Sequence, residues 1–287
     1  MTFDIAVPYT CPVKTRILSV AVAWLVLPVA LVPGQQTPAA TALPAATLSQ
    51  ADCTGFISAS KVPADINVLS GEDNDLESST RQYTEGDSIY LSGRGNPRFA
   101  VGQQFSLVRP AKELFRTTRY SGEHWTLRKL GNPYEDAGRV LVTHVTPQGA
   151  VAEVKFACGP IYPGDIALPY QPRIVPDYVP TKLDRFALSN GKIQGAIVAA
   201  RNNYASLANG DVVYLDFGEK NGAKAGQLYR VFYLPPCPGP WAINAPPPMP
   251  RETVAEIVVL STQERSAVGI IVNSGRDVYV GYGVELE

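Results

Sequence analysis

Two stretches of the chain repeat one another, and no other feature narrows the choice of fold as far. Glu85 to Ala111 (EGDSIYLSGRGNPRFAVGQQFSLVRPA) and Asn209 to Pro235 (NGDVVYLDFGEKNGAKAGQLYRVFYLP) align without a gap at an offset of 124 residues. Gly86, Asp87, Tyr90, Leu91, Gly102 and Gln103 fall on Gly210, Asp211, Tyr214, Leu215, Gly226 and Gln227. A second pair, Arg139 to Leu168 over Glu256 to Glu285, aligns at an offset of 117. There Val142, Val151, Val154, Ile161, Tyr162 and Gly164 fall on Val259, Val268, Ile271, Val278, Tyr279 and Gly281. Only the segment between the two halves changes length. A unit repeated with constant spacing and one tolerant loop is the mark of a duplicated structural module.

Each copy reads as short strands. Ser88 to Leu91 and Val212 to Leu215 are β-rich runs entered through Gly-Asp turns, and Gln104 to Val108 and Leu228 to Phe232 alternate before a proline. Val140 to Val145 and Thr253 to Leu260 are β-branched, and turns at Gln148-Gly149 and Gln263 to Arg265 lead into a further strand. Cys53 to Ser70 and Phe186 to Leu207 read as opening strands of the two units. The expected fold is therefore mainly β: two tandem small barrels or sandwiches related by duplication, preceded by a signal peptide. The segments are 1–34 signal, 35–50 a disordered Ala/Pro/Thr-rich spacer, 51–169 unit one, 170–183 a Pro-rich extended linker and 184–287 unit two.

The signal is read from Lys14 and Arg16 followed by an uncharged apolar run, Ile17 to Val32. Its length suits a secretory signal core better than a full membrane span. An uncleaved anchor and a buried core helix are the competing readings, and the anchor is the one way the chain would meet a membrane. Export gives the cysteines meaning. With Cys11 in the signal, Cys53, Cys158 and Cys237 remain; Cys53 opens unit one and Cys158 ends one of its strands, so these two are expected to pair. Cys237 would be left free, and three unpaired thiols is the alternative.

The pattern Gly-Asp-x-Val-Tyr-Leu, then Gly-x-x-x-Gly-Gln-x-Tyr-x-Val-Phe, then a hairpin closing on a glycine turn, resembles small β-domains of the bacterial cell envelope. Among these are the C-terminal domain of flagellar assembly protein T and the β-domains appended to LysM-type peptidoglycan-binding proteins. The resemblance rests on Gly210 to Phe232 and Thr253 to Leu286, and more loosely on Gly86 to Val108 and Gly138 to Leu168. The chain has neither a LysM sequence nor a flagellar partner domain. The resemblance implies a periplasmic or envelope-associated protein that binds or assembles, and it transfers no catalytic residue.

The residues agree with that implication. A net charge of −1 lacks the basic excess that phosphate-backbone binding needs, so nucleic acid is not an expected partner. Two histidines, His124 and His144, give little material for metal sites or general-base catalysis. Ser121 and Glu123 neighbour His124 only in sequence, and adjacent loop residues seldom converge as a triad. No catalytic residue, metal site or small-molecule cofactor is expected. Asp87 and Asp211 are read as turn residues rather than paired ligands, together with Gly86 and Gly210. The acidic run Gly71 to Glu77 is read as a solvated loop rather than a Ca²⁺ site, because it lacks full EF-hand spacing. The candidate interface lies in the two variable middles. Lys112 to Asp136 carries Arg119, Tyr120 and Trp125, and Pro235 to Arg251 carries Trp241 and Arg251; such aromatic and Arg side chains are the usual anchors of an interface. The expected partner is an envelope protein or cell-wall polymer, and an exported hydrolase with an unrecognised site is the alternative.

Overall fold

A computed structural model describes residues 41–71, 81–93, 98–235 and 250–287. The apolar run and Cys11, the acidic residues after Gly71, and Cys237 and Trp241 lie outside the described residues. In chain order the elements are β1 (Leu43–Pro44), α1 (Leu48–Asp52), β2 (Phe56–Ser58), β3 (Ile66–Gly71), β4 (Ser88–Gly93), β5 (Gln104–Pro110), α2 (Glu123–Leu130), β6 (Asn132–Thr146), β7 (Gly149–Ala157), β8 (Ile166–Pro169) and β9 (Asp177–Tyr178). The second half continues with β10 (Gln194–Ala200), β11 (Ser206–Leu207), β12 (Val212–Leu215), β13 (Leu228–Tyr233), β14 (Glu252–Thr262), β15 (Ala267–Ser274), β16 (Val278–Tyr279) and β17 (Gly283–Leu286).

The duplication extends to strand connectivity. Barrel one closes in the order β3-β4-β7-β6-β5-β8, and β2 adds to the free side of β6. Barrel two closes as β10-β12-β15-β14-β13-β17, the same ring strand for strand. Registers repeat as well: Arg109 lies opposite Glu135 in barrel one, and Tyr233 opposite Glu252 in barrel two. Closure removes the unpaired edges that an open six-stranded sheet would present.

The repeated Gly-Asp pairs are the local reason for this geometry. Gly86 and Gly210 have φ of 89° and 90°, which a side chain would oppose. Each following aspartate accepts a backbone N–H three residues upstream, from Thr84 to Asp87 and from Ala208 to Asp211, both at 2.8 Å. The turn is therefore held by its own carboxylate before the strand begins.

Alternate residues fill each barrel. Ile89, Leu91, Phe105, Leu107, Val140, Val142 and Val154 are buried in barrel one. Val213, Leu215, Tyr229, Val231, Ile257 and Ile271 do the same in barrel two, where Phe217 stacks on Tyr229 at 4.8 Å. Cys53 and Cys158 form a disulfide that ties the end of α1 to the end of β7.

Two boundaries differ from expectation. Residues 41–50 are not a disordered spacer throughout: α1 begins at a capping box, with Gln50 N–H donating to the Thr47 hydroxyl at 3.1 Å, and β1 pairs with β9. Ala45 packs on Val258, Leu260 and Ile270 of barrel two, so the start of the described chain is anchored on the second unit. The first variable middle is likewise structured. It holds a 3₁₀ turn, Lys112–Phe115, then α2, and its last residues begin β6. Glu123, Leu127 and Leu130, spaced i, i+4, i+7, form its buried face.

That face lies against barrel two. Ile57, Leu114, Leu127 and Leu130 from unit one pack with Val198, Val212, Tyr214 and Val268 on the outside of barrel two. This third core explains why β12 is buried at all four positions instead of alternating. The Tyr214 hydroxyl donates to the Thr54 carbonyl at 2.8 Å, and the Ser266 hydroxyl to the Ile57 carbonyl at 2.8 Å. Tyr214→Phe is expected to cost about 1–2 kcal/mol in denaturant unfolding, because it leaves the buried Thr54 carbonyl without that donor.

Candidate binding surface

A cavity of about 550 Å³ opens between the barrels and is walled by Phe56, Val108, Leu168, Ile174 and Leu260. Arg173 and Asp136 also line it. The Arg173 guanidinium donates twice to the Asp136 carboxylate, at 2.7 Å each, and also to the Thr54 hydroxyl and the Ala51 carbonyl at 2.8 Å. Asp136 further accepts the Gly55 N–H at 2.7 Å. These groups satisfy one another, and their effect is to hold the linker against unit one.

The candidate interface residues separate into three situations. Arg119 and Tyr120 are drawn inward. Arg119 donates to the Asn203 side chain and backbone carbonyl in unit two, and Tyr120 packs on the barrel-two core and against Gly281. Burial pushes the Tyr120 hydroxyl up to about 12. Arg251 is also internal: it pairs with the fully buried Glu285 at 2.5 Å and lies over the Phe232 ring. Trp125 alone of the four described residues stands in solvent, 59% exposed on α2, with the Lys129 ammonium over its ring. His124 contacts the Thr117 carbonyl at 3.0 Å, and His144 sits exposed near the end of β6.

The segment Thr181 to Gly191, which overlaps the end of the linker, crosses the outside of barrel two and is held by two buried carboxylates. Glu256 accepts from the Thr181 hydroxyl and from Asn273. Glu285 accepts from Ser189, Gln194, Arg251 and the N–H groups of Asn190 and Gly191.

The surface with unmatched character is the end of barrel two beside this strap. Tyr233, Tyr282 and Tyr279 follow one another, with ring centroids 5.4 Å and 5.6 Å apart and ring planes tilted by 38° and 61°. The Arg276 guanidinium lies over Tyr233, and Arg276 and Arg185 share Glu252. Tyr279 is 40% exposed. The repeat alignment pairs Tyr279 with Tyr162 but says nothing of the other two. The usable signal was a mismatch at those: by the repeat offsets, Tyr233 stands at the place of Arg109 and Tyr282 at that of Asp165.

In barrel one those places form a closed ionic group. Arg109 pairs with Asp165 at 2.8 Å and with Glu135 at 3.5 Å, and stacks over Tyr162. Burial pushes the Asp165 carboxyl up to about 6, against the lowering from the Tyr162 N–H and Arg109.

Among the described residues no group of three His, Cys, Asp or Glu side chains is arranged to hold a metal, and no helix is long and apolar enough to cross a membrane. Fold and surface together define a tandem double-barrel protein, disulfide-stapled and with one aromatic barrel end. No family model matches the chain, and no curated protein matches its sequence.

Proposed function

We propose that the protein is a non-enzymatic, exported envelope module that binds, or helps assemble, a protein complex or cell-wall polymer. The observation that carries this reading is the third core, in which a helix of unit one fills the flank of barrel two. It joins the duplicated barrels into one support, and a rigid support with differing loops and ends is suited to holding partners in fixed relation. The Cys53–Cys158 disulfide is compatible with an oxidising compartment outside the cytoplasm. The likeness to envelope β-domains points the same way.

Photo-crosslinking in cells tests the reading, with the reactive side chain placed at Trp125 in one variant and at Tyr279 in another. A discrete adduct to an envelope protein or wall fragment is the expected result. Turnover of generic ester, glycoside or peptide substrates by the purified chain would favour the hydrolase alternative and overturn this one.

A further inference from the structure

We propose that the flank of barrel one formed by Leu69, Tyr90 and Val151 is a docking site for a short amphipathic helix of a partner protein, seated as α2 is seated on barrel two. The inference rests on the reading of the chain as a binding module, and it gives that module a partner class.

The duplication supplies the first argument. Tyr90 lies opposite Val151 in barrel one as Tyr214 lies opposite Val268 in barrel two. Leu69 and Val198 are each the extra residue of a bulge on the neighbouring strand, between Val68 and Ser70 in one copy and between Ile197 and Ala199 in the other. The three residues therefore hold the same places on the same scaffold. In barrel two those places are buried, packed with Leu127 and Leu130 of α2, Leu114 and Ile57. In barrel one Leu69 is 56% exposed, Tyr90 36% exposed, and Val151 half-buried. A single exposed leucine is ordinary, but three apolar residues at the positions of an existing helix seat form a patch with a defined complement.

That complement specifies the occupant. α2 meets barrel two through Leu127 and Leu130, neighbours on one helix face. One polar anchor is added by the Tyr214 hydroxyl, which donates to the Thr54 carbonyl at 2.8 Å. At the same place in barrel one, the Tyr90 hydroxyl has no hydrogen-bond partner among the described residues, so it keeps a donor for a carbonyl of the incoming chain. Ser70 and Ser88 stand where barrel two has Ala199 and Val212. The barrel-one seat is thus less apolar than its twin, which suits a reversible contact rather than a permanent core. None of these five residues is charged, so an acidic wall polymer finds no counter-ion among them. A second copy of the chain is not the partner by way of α2, whose apolar face is already buried on its own barrel two.

Fluorescence anisotropy with the full chain tests the proposal. The probe is a labelled peptide of sequence Lys112 to Gly131, held helical by a lactam bridge between Trp125→Glu and Lys129 on its outward face. Saturable binding is expected, and it should be absent for the same peptide carrying Leu127→Asp and Leu130→Asp. On the chain, Leu69→Glu should weaken binding by about tenfold or more, because it sets an unpaired carboxylate in the contact, and Tyr90→Phe by about threefold. Leu69 is exposed, so the melting midpoint of Leu69→Glu should stay near that of the native chain; if this variant fails to fold, Leu69→Ser takes its place. Absence of saturable binding, or equal binding by native chain and Leu69 variant, overturns the proposal. Self-association of the native chain that Leu69→Glu abolishes would make the occupant a second copy, overturning the partner assignment but leaving the module reading standing. Failure of the module itself would show instead as substrate turnover by the purified chain.

Discussion

Arg251→Ala is expected to destabilise the fold by about 3–5 kcal/mol at neutral pH, the range seen when one partner of a buried ion pair is removed. Glu285 is fully buried, and without Arg251 its carboxylate keeps only neutral donors. The pH dependence has a definite sign. Burial by itself would raise the Glu285 pKa, but the hydrogen bonds from Ser189, Arg251 and Gln194 outweigh it and hold the carboxyl at about 2, below its ordinary 4.5. A folded-state pKa below the unfolded value means stability that is fully present above about pH 4.5 and is lost as pH falls toward 2. A gap of that size corresponds to about 3 kcal/mol. In Arg251→Ala the carboxyl protonates at higher pH, so the difference between variant and native chain should shrink on acidification. Guanidinium unfolding at pH 7 and pH 3 checks both parts. A variant deficit that does not change between these pH values would place the stabilisation elsewhere than on Glu285.

Breaking the Cys53–Cys158 bond should cost about 4 kcal/mol in the chain-entropy account, since it closes a loop across a sequence separation of 105. Cys53→Ser, Cys158→Ser and the double variant should lose similar amounts, because each removes the same single link. The loss should reach beyond barrel one. Residues 43–58 contact both barrels, through Ala45 on barrel two and through β2 and the disulfide on unit one. Hydrogen exchange should therefore accelerate at Ile57, whose carbonyl accepts from Ser266 of barrel two, as well as within β7. Unchanged protection at Ile57 would show that the opening segment is held without the staple.

Much of the barrel architecture was legible because it is local. Gly86-Asp87 and Gly210-Asp211 shape their turns by positive φ and a carboxylate reaching three residues back, and strand alternation assigns which side chains face inward. Matching spacing in both copies then required matching rings. The candidate site was less legible. Arg119, Tyr120 and Arg251 have the composition of interface anchors, but composition does not say which surface they meet; here Arg119 and Tyr120 meet the other unit of the same molecule, and Arg251 meets the buried Glu285 of its own unit. The helical spacing of Glu123, Leu127 and Leu130 was readable, but its partner face on Val198, Val212 and Val268 was not. Those valines lie on strands already assigned a barrel interior, and their second burial exists only once the barrels are side by side.

By itself, then, the chain's sequence determined the duplicated unit, its turns, its inward-facing residues and its sulfur pair. The tertiary structure decided how the copies dock and what their equivalent ends became. Tyr233 is distant in sequence from Tyr282, and only closure of barrel two through β13 and β17 brings their rings within 6 Å of one another. Short-range preferences act between neighbours along the chain, whereas a surface is made by residues that only the closed sheet brings together.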